Sequence, residues 1–157
     1  MSKRLVLVVG LVVAIAAGLA GAAYAGSSVL TGPITIPTVE MGGNQEFLIL
    51  NKNANDATGN EFAVSGPLYR LGTHTRVGKL RGVCFIVTKK FGIGQCAFTA
   101  SLHQGNVTVS GTINFAQGAT DTLAVTGGTG KFRNARGEVV ARNIGQTSES
   151  LVFHLIP

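Results

Sequence analysis

The chain has 157 residues, 45% apolar and only 13% charged, with 22 glycines and no tryptophan. Little charge and much glycine exclude an acidic disordered chain, a coiled coil and a helical bundle, because glycine weakens helices and those classes are rich in charge. The formal net charge of +6 comes without interleaved stacking aromatics or a recognition helix, so nucleic acid is not an expected partner.

Lys3 and Arg4 precede an apolar run over residues 5–19, and Ala23-Tyr24-Ala25 has the small-x-small pattern of a cleavage site. We expect a secretory signal peptide over residues 1–25, an exported, extracellular mature chain starting near Gly26, and no stable membrane insertion after cleavage. The alternative is a retained anchor, since a span needs roughly 20 apolar residues. Without Lys3 and Arg4 the net charge falls from +6 to +4. Residues 26–43 carry Pro33 and Pro37 among Ser, Thr and Gly and read as an extended leader. That assigns residues 44–157 to one folded domain.

From there short β runs alternate with glycine and asparagine turns. Residues 47–51 come first, followed by the turn-rich stretch 53–60. Residues 61–65 and 68–71 flank Gly66-Pro67 and read as one strand bent where proline removes a donor. Residues 80–88, 96–102 and 107–115 form an antiparallel meander, and residues 121–126, 135–142 and 150–155 complete about eight strands. An all-β, eight-stranded antiparallel barrel suits this series, because closure removes the adhesive edges of an open sheet.

Side-chain alternation refines the barrel. Val107, Val109, Ile113 and Phe115 share one face of their strand, and Thr108, Ser110, Thr112 and Asn114 share the other. In Val83-Cys84-Phe85-Ile86-Val87 both faces are apolar. Such a strand needs cover on both sides, from the lumen and from either the leader or a second subunit, which points to a homo-oligomer, a trimer or dimer.

Cys84 and Cys96 are the only cysteines, and a turn centred near Lys90 sets them opposite each other. In an oxidising compartment this favours a cross-strand disulfide; the alternative is two buried thiols, one lining the lumen. His74, His103 and His154 are too widely spaced to suggest a metal site. Gly127-Gly128-Thr129-Gly130-Lys131 is not a phosphate loop. Val125 and Phe132 stand where a Walker loop needs Gly and Ser or Thr, and a strand follows where a helix is required. A dinucleotide fingerprint fails as well, with Arg133 in place of its third glycine. Gly127, Gly128 and Gly130 instead read as a tight structural turn with positive φ.

The segment Leu123-Ala124-Val125-Thr126-Gly127-Gly128-Thr129-Gly130-Lys131-Phe132-Arg133-Asn134-Ala135-Arg136-Gly137-Glu138-Val139 closely resembles the C-terminal signature of dirigent proteins and allene oxide cyclases. Gly82-Val83-Cys84, the strand from Gln95 to Leu102 and Val107-Thr108-Val109-Ser110-Gly111 resemble the middle strands of that superfamily. Glu61-Phe62 to Leu68-Tyr69 looks like its bacterial members. The resemblance implies an eight-stranded barrel, often trimeric, that binds a small hydrophobic or phenolic molecule and directs its cyclisation or stereoselective coupling without a cofactor. If enzymatic, it would be an isomerase or cyclase. Catalysis would rest on one held near-attack geometry and a few polar groups that stabilise developing charge.

The chain also departs from the pattern. The acid placed early in allene oxide cyclase barrels has no secure counterpart, since Glu40 and Glu46 lie in a poorly matched region, and Arg70 stands where bacterial relatives often carry aspartate. A non-catalytic secreted binding or envelope-associated barrel is therefore the rival expectation. Pocket candidates are Asn51, Tyr69, Arg70, Cys84, Asn114 and Arg136. Cys84 matches a cysteine of the cyclase pocket, which a disulfide would block. Tyr69 serves either as a pocket donor or in barrel packing. Arg136 faces the lumen, or else forms a solvated charge ladder with Glu138 and Arg142, the arrangement with the lower desolvation cost.

Overall fold

A computed structural model describes residues 29–41, 44–49, 51–53, 55–90, 92–145 and 148–157. The expected signal peptide lies outside these residues. The strands are β1 (Ile34–Met41), β2 (Asn44–Leu48), β3 (Glu61–Arg70), β4 (Arg76–Ile86), β5 (Ile93–Leu102), β6 (Gly105–Asn114), β7 (Thr120–Gly128), β8 (Arg136–Gly145) and β9 (Ser148–Ile156). All neighbours are antiparallel, in the order β1-β9-β8-β7-β6-β5-β4-β3-β2, and a β1–β3 pairing closes the sheet. β1 pairs with β3 over Thr38↔Arg70 to Glu40↔Leu68, and β2 takes up β3 again from Asn44↔Ser65. The two therefore share one stave, and nine segments make a closed eight-stranded barrel.

The barrel begins earlier than the sequence suggests. Residues 34–41, expected within the leader, form β1, which pairs with β9 along its whole length from Ile34↔Leu155 to Met41↔Ser148. Pro37 masks this strand in the sequence because it lacks an N–H donor. Its carbonyl accepts from the Leu71 amide at 3.2 Å, on the side where β3 has just ended. A strand residue's N and C=O point to the same side, so the missing donor costs no bond to β9. Pro67 is tolerated for a similar reason. β3 runs unbroken through Gly66-Pro67, and the registers of β1 and β2 leave these two residues between them.

Alternation divides interior from exterior. Leu80, Cys84 and Ile86 of β4, Cys96, Phe98 and Ala100 of β5, and Val107, Val109 and Ile113 of β6 are all buried in one core. Leu123, Val139, Ala141, Leu151, Phe153 and Leu155 continue it round the remaining strands. Thr38 is the buried polar exception, and its hydroxyl donates to the Leu151 carbonyl at 3.0 Å, which satisfies it. Cys84 and Cys96 are directly paired and disulfide-bonded, with both sulfur-bearing residues inside the barrel.

One end of the barrel carries the β3–β4, β5–β6 and β7–β8 connections, together with the start of β1 and the end of β9. The β7–β8 connection holds the glycine-rich segment. After Gly128 the chain makes a 3-10 turn over Gly130–Phe132 and drops the Phe132 ring into the core. Gly130 has φ +60, and a Cβ there would lie 2.5 Å from the Gln104 carbonyl oxygen. Gly128 is required by close approach instead, since its Cβ would sit 2.8 Å from the Asn106 carbonyl oxygen. The turn is tied to the β5–β6 hairpin by Thr129 N–H to Asn106 C=O (2.9 Å) and Lys131 N–H to Gln104 C=O (2.9 Å). Leu30, also buried, donates its amide to Lys131 C=O at 2.8 Å and caps the same end. At the opposite end Phe62 and Phe115 meet edge to face, with ring centroids 5.3 Å apart.

Candidate ligand site at the barrel mouth

Between the start of β1 and the ends of β3 and β5 the barrel opens into a cavity of about 280 Å³. Ile34, Ile36, Pro37 and Val77 give it an apolar wall, and Arg70 and Gln104 supply polar groups. Ile34, Ile36 and Val77 are half-buried and pack against the core, so the cavity borders the barrel interior. Val77 reaches it through an irregularity between Leu68 and Tyr69, where β4 carries an extra residue between Gly78 and Arg76. Arg70 is directly opposite the fully buried Thr38. Directly paired residues share a sheet face, so Arg70 lies on the lumen face at its rim. Among the residues whose side chains are described its guanidinium has neither a hydrogen bond nor an ion pair.

The other candidates from the sequence lie apart from this mouth. Tyr69 is half-buried and stands on the opposite alternation from Leu68 and Arg70. Cys84 lies deep in the lumen and is consumed by the disulfide, so it offers no thiol. Asn51 and Asn114 stabilise turns. The Asn51 side-chain oxygen accepts from the Asn53 amide and that of Asn114 from the Ala116 amide, each at 3.0 Å. Arg136 is exposed on the outer face, as are Glu138 and Arg142, which is the charge-ladder arrangement. Together with Arg133 and Pro157 it borders a shallow outer groove at the mouth end.

At the closed end, Asp56 has its carboxyl held below the usual range by hydrogen bonding from the Thr58 side chain and then its amide, which reaches the carboxylate at 3.0 Å. That carboxylate is remote from the mouth. The outer face at the end of β4 is apolar at Val83, Phe85 and, just past the strand, Val87, each 42–51% exposed, with Glu61 directly opposite Phe85 and Arg81 next before Val83 on that face. Beside it stand Gln95, Ala97, Ser110, Thr112, Ala124 and Thr126, linked in part by hydrogen bonds such as Thr112 to Gln95 at 3.2 Å and Thr126 to Thr108 at 3.2 Å.

An antiparallel barrel with an apolar interior and a small mouth at one end defines a class of small closed β-barrels. This chain belongs to the dirigent-like protein family, whose family model matches residues 29–155. No curated protein matches the chain in sequence. Among solved structures it is similar to a pyocyanin demethylase, with 23% identity, a TM-score of 0.63 and coverage of 78% of this chain and 98% of that one. A pterocarpan synthase dirigent protein aligns at 15% identity and TM-score 0.63, over 81% of this chain and 96% of its own. An exo-specific intermolecular Diels-Alderase aligns at 15% identity and TM-score 0.60, over 78% and 96%. At these identities the likeness concerns the fold.

The signal for the mouth was present in the sequence but divided. Arg70 stood out as a departure from the family pattern, whereas Ile34 and Ile36 sat between prolines in a segment read as a leader. No alternation count that starts after Gly43 can find the wall that they form.

Proposed function

We propose that this chain is an exported, cofactor-independent dirigent-like barrel that admits a small hydrophobic or phenolic molecule at its mouth and directs its cyclisation or stereoselective coupling. The observation that carries this reading is the mouth cavity, an apolar wall with a cation at its rim, bordering the barrel core. An apolar pocket with few polar groups is suited to fixing one reactive conformer and excluding water, the two contributions a cofactor-free cyclase can make. The internal disulfide supports export, because such bonds persist in oxidising compartments. A panel of fatty-acid epoxides, phenolics and polyketides should include compounds that raise the melting temperature. A compound present at 100 times its Kd adds about 2.7 kcal/mol of stability. Ile36→Trp, which fills the mouth, should abolish that shift, and a panel without any shift would refute the reading.

One feature favours a non-catalytic binding or envelope module. Phe98, Phe132, Phe153 and the disulfide occupy the lumen itself, which confines a ligand to the mouth. Product analysis with the ligand that shifts the melting temperature separates the two readings: turnover supports the cyclase, and recovery of unchanged ligand supports the module.

We also propose self-association through the apolar wall of Val83, Phe85 and Val87, which Glu61 and Arg81 border, since an apolar sheet face of this kind is stabilised by cover. Phe85→Glu should shift sedimentation of the mature protein to the monomer without unfolding it. A wild-type protein that already sediments as a monomer would refute the proposal.

A further inference from the structure

We propose that the mouth selects small amphipathic acids, a carboxylate carried on an apolar chain or ring, and that Arg70 holds the carboxylate. This rests on the reading of the mouth as the ligand site and names the chemistry of its occupant. Three observations converge on it. The Arg70 guanidinium sits at the rim of the lumen face with no partner among the residues whose side chains are described, next to the apolar wall of Ile34, Ile36 and Val77. A planar, weakly hydrated guanidinium bordering an apolar surface is suited to two parallel hydrogen bonds with a carboxylate.

The second observation is the distribution of charge along the barrel axis. Arg70, Arg76, Lys79, Lys131, Arg133 and Arg136 all stand at the mouth end, with Glu138 and, two register pairs inward from Arg70, Glu40 as the acids nearest them among the described residues. Asp56, Glu61, Asp121 and Glu149 lie toward the closed end, where Lys52, Lys89, Lys90 and Arg142 offset them. The field therefore gathers anions at the opening and offers little attraction elsewhere. The third is size. A cavity of about 280 Å³ lies at the lower bound of ordinary ligand pockets, roughly 300 Å³, which suits a short aliphatic or single-ring acid.

Decanoate and decanol are matched probes with and without the charge. With the mature protein, titration calorimetry should show decanoate binding about tenfold more tightly than decanol, the preference expected from a charge-assisted pair. Arg70→Gln should abolish that preference and leave decanol binding unchanged, while Arg133→Gln with Arg136→Gln should weaken decanoate only slightly. Rising salt should erode the preference in the wild type. Decanol binding at the mouth with no preference for decanoate would overturn this inference and leave the ligand-binding barrel intact. No binding of either probe, or of any panel compound, would overturn both. Loss of the preference in the Arg133 and Arg136 double variant as complete as in Arg70→Gln would assign it to the general field and overturn the role of Arg70. Sedimentation with phosphatidylglycerol vesicles, without decanoate-induced NMR shifts at Ile34 and Val77, would assign the cationic end to a membrane surface and likewise overturn it.

Discussion

Phe132→Ala is expected to lower the unfolding free energy by about 4 kcal/mol, the middle of the range for truncating a buried aromatic ring. Phe132 is 2% exposed and is the only buried residue of the Gly130–Phe132 turn. Its ring enters the core from a connection rather than from a strand, so the ring anchors the turn and loses that anchorage when truncated. The neighbouring backbone cannot collapse into the space easily, because Gly128 and Gly130 already hold it against the carbonyls of Asn106 and Gln104. Urea denaturation followed by fluorescence-independent far-ultraviolet dichroism measures the change, which suits a chain without tryptophan. Arg133→Ala, one residue on and exposed, should stay within roughly 0.5 kcal/mol of wild type. A loss below about 1 kcal/mol for Phe132→Ala would mean that the turn does not depend on its buried ring.

The second large effect concerns the disulfide. Replacing Cys84 and Cys96 together by alanine should cost about 3 kcal/mol, since the bridge closes a loop with a sequence separation of 12. For a domain of this size the melting temperature should fall by about 10 °C. Both residues are 1% exposed inside the barrel, so a reductant reaches the bond only when the barrel opens. Dithiothreitol added to native protein should therefore act slowly, and the same reagent in urea should act at once. Thiol titration of denatured, unreduced protein should find no reactive groups. Two reactive groups would refute the bridge.

Most of the barrel was legible because its strands announce themselves by alternation between glycine and asparagine turns. The pairing of Cys84 with Cys96 followed from a turn placed near Lys90, and the observed register agrees. The two faces of β6 were accessible by the same alternation, and the outward charges of β8 followed from alternation together with the cost of burying a charge. β1 was not, although Ile34, Ile36 and Thr38 alternate, because Pro33 and Pro37 carry the local signal of a leader. What rescues β1 is tertiary: β9 supplies a full partner on one side, and β3 ends where Pro37 lacks its donor. The candidate site shared that fate. A single residue of it, Arg70, was visible, while its wall depended on the hidden strand. Asn51 and Asn114 are pocket candidates in the sequence, but their side-chain oxygens are used locally by turns.

The pairing of β1 with β9 also governs when the barrel can form. From β3 to β9 each strand meets its successor through a short connection, so these pairings are local and available as the chain lengthens. β1 is the exception. Among the described strands it is synthesised first, yet its full-length partner comes last, and its contact with β3 spans only three register pairs. A chain still emerging holds β1 with little to rest on, and closure waits for the final residues of the sequence. Truncation of β9 would therefore remove a stave and also leave β1 without its longest partner, so β1 and β9 are one folding unit.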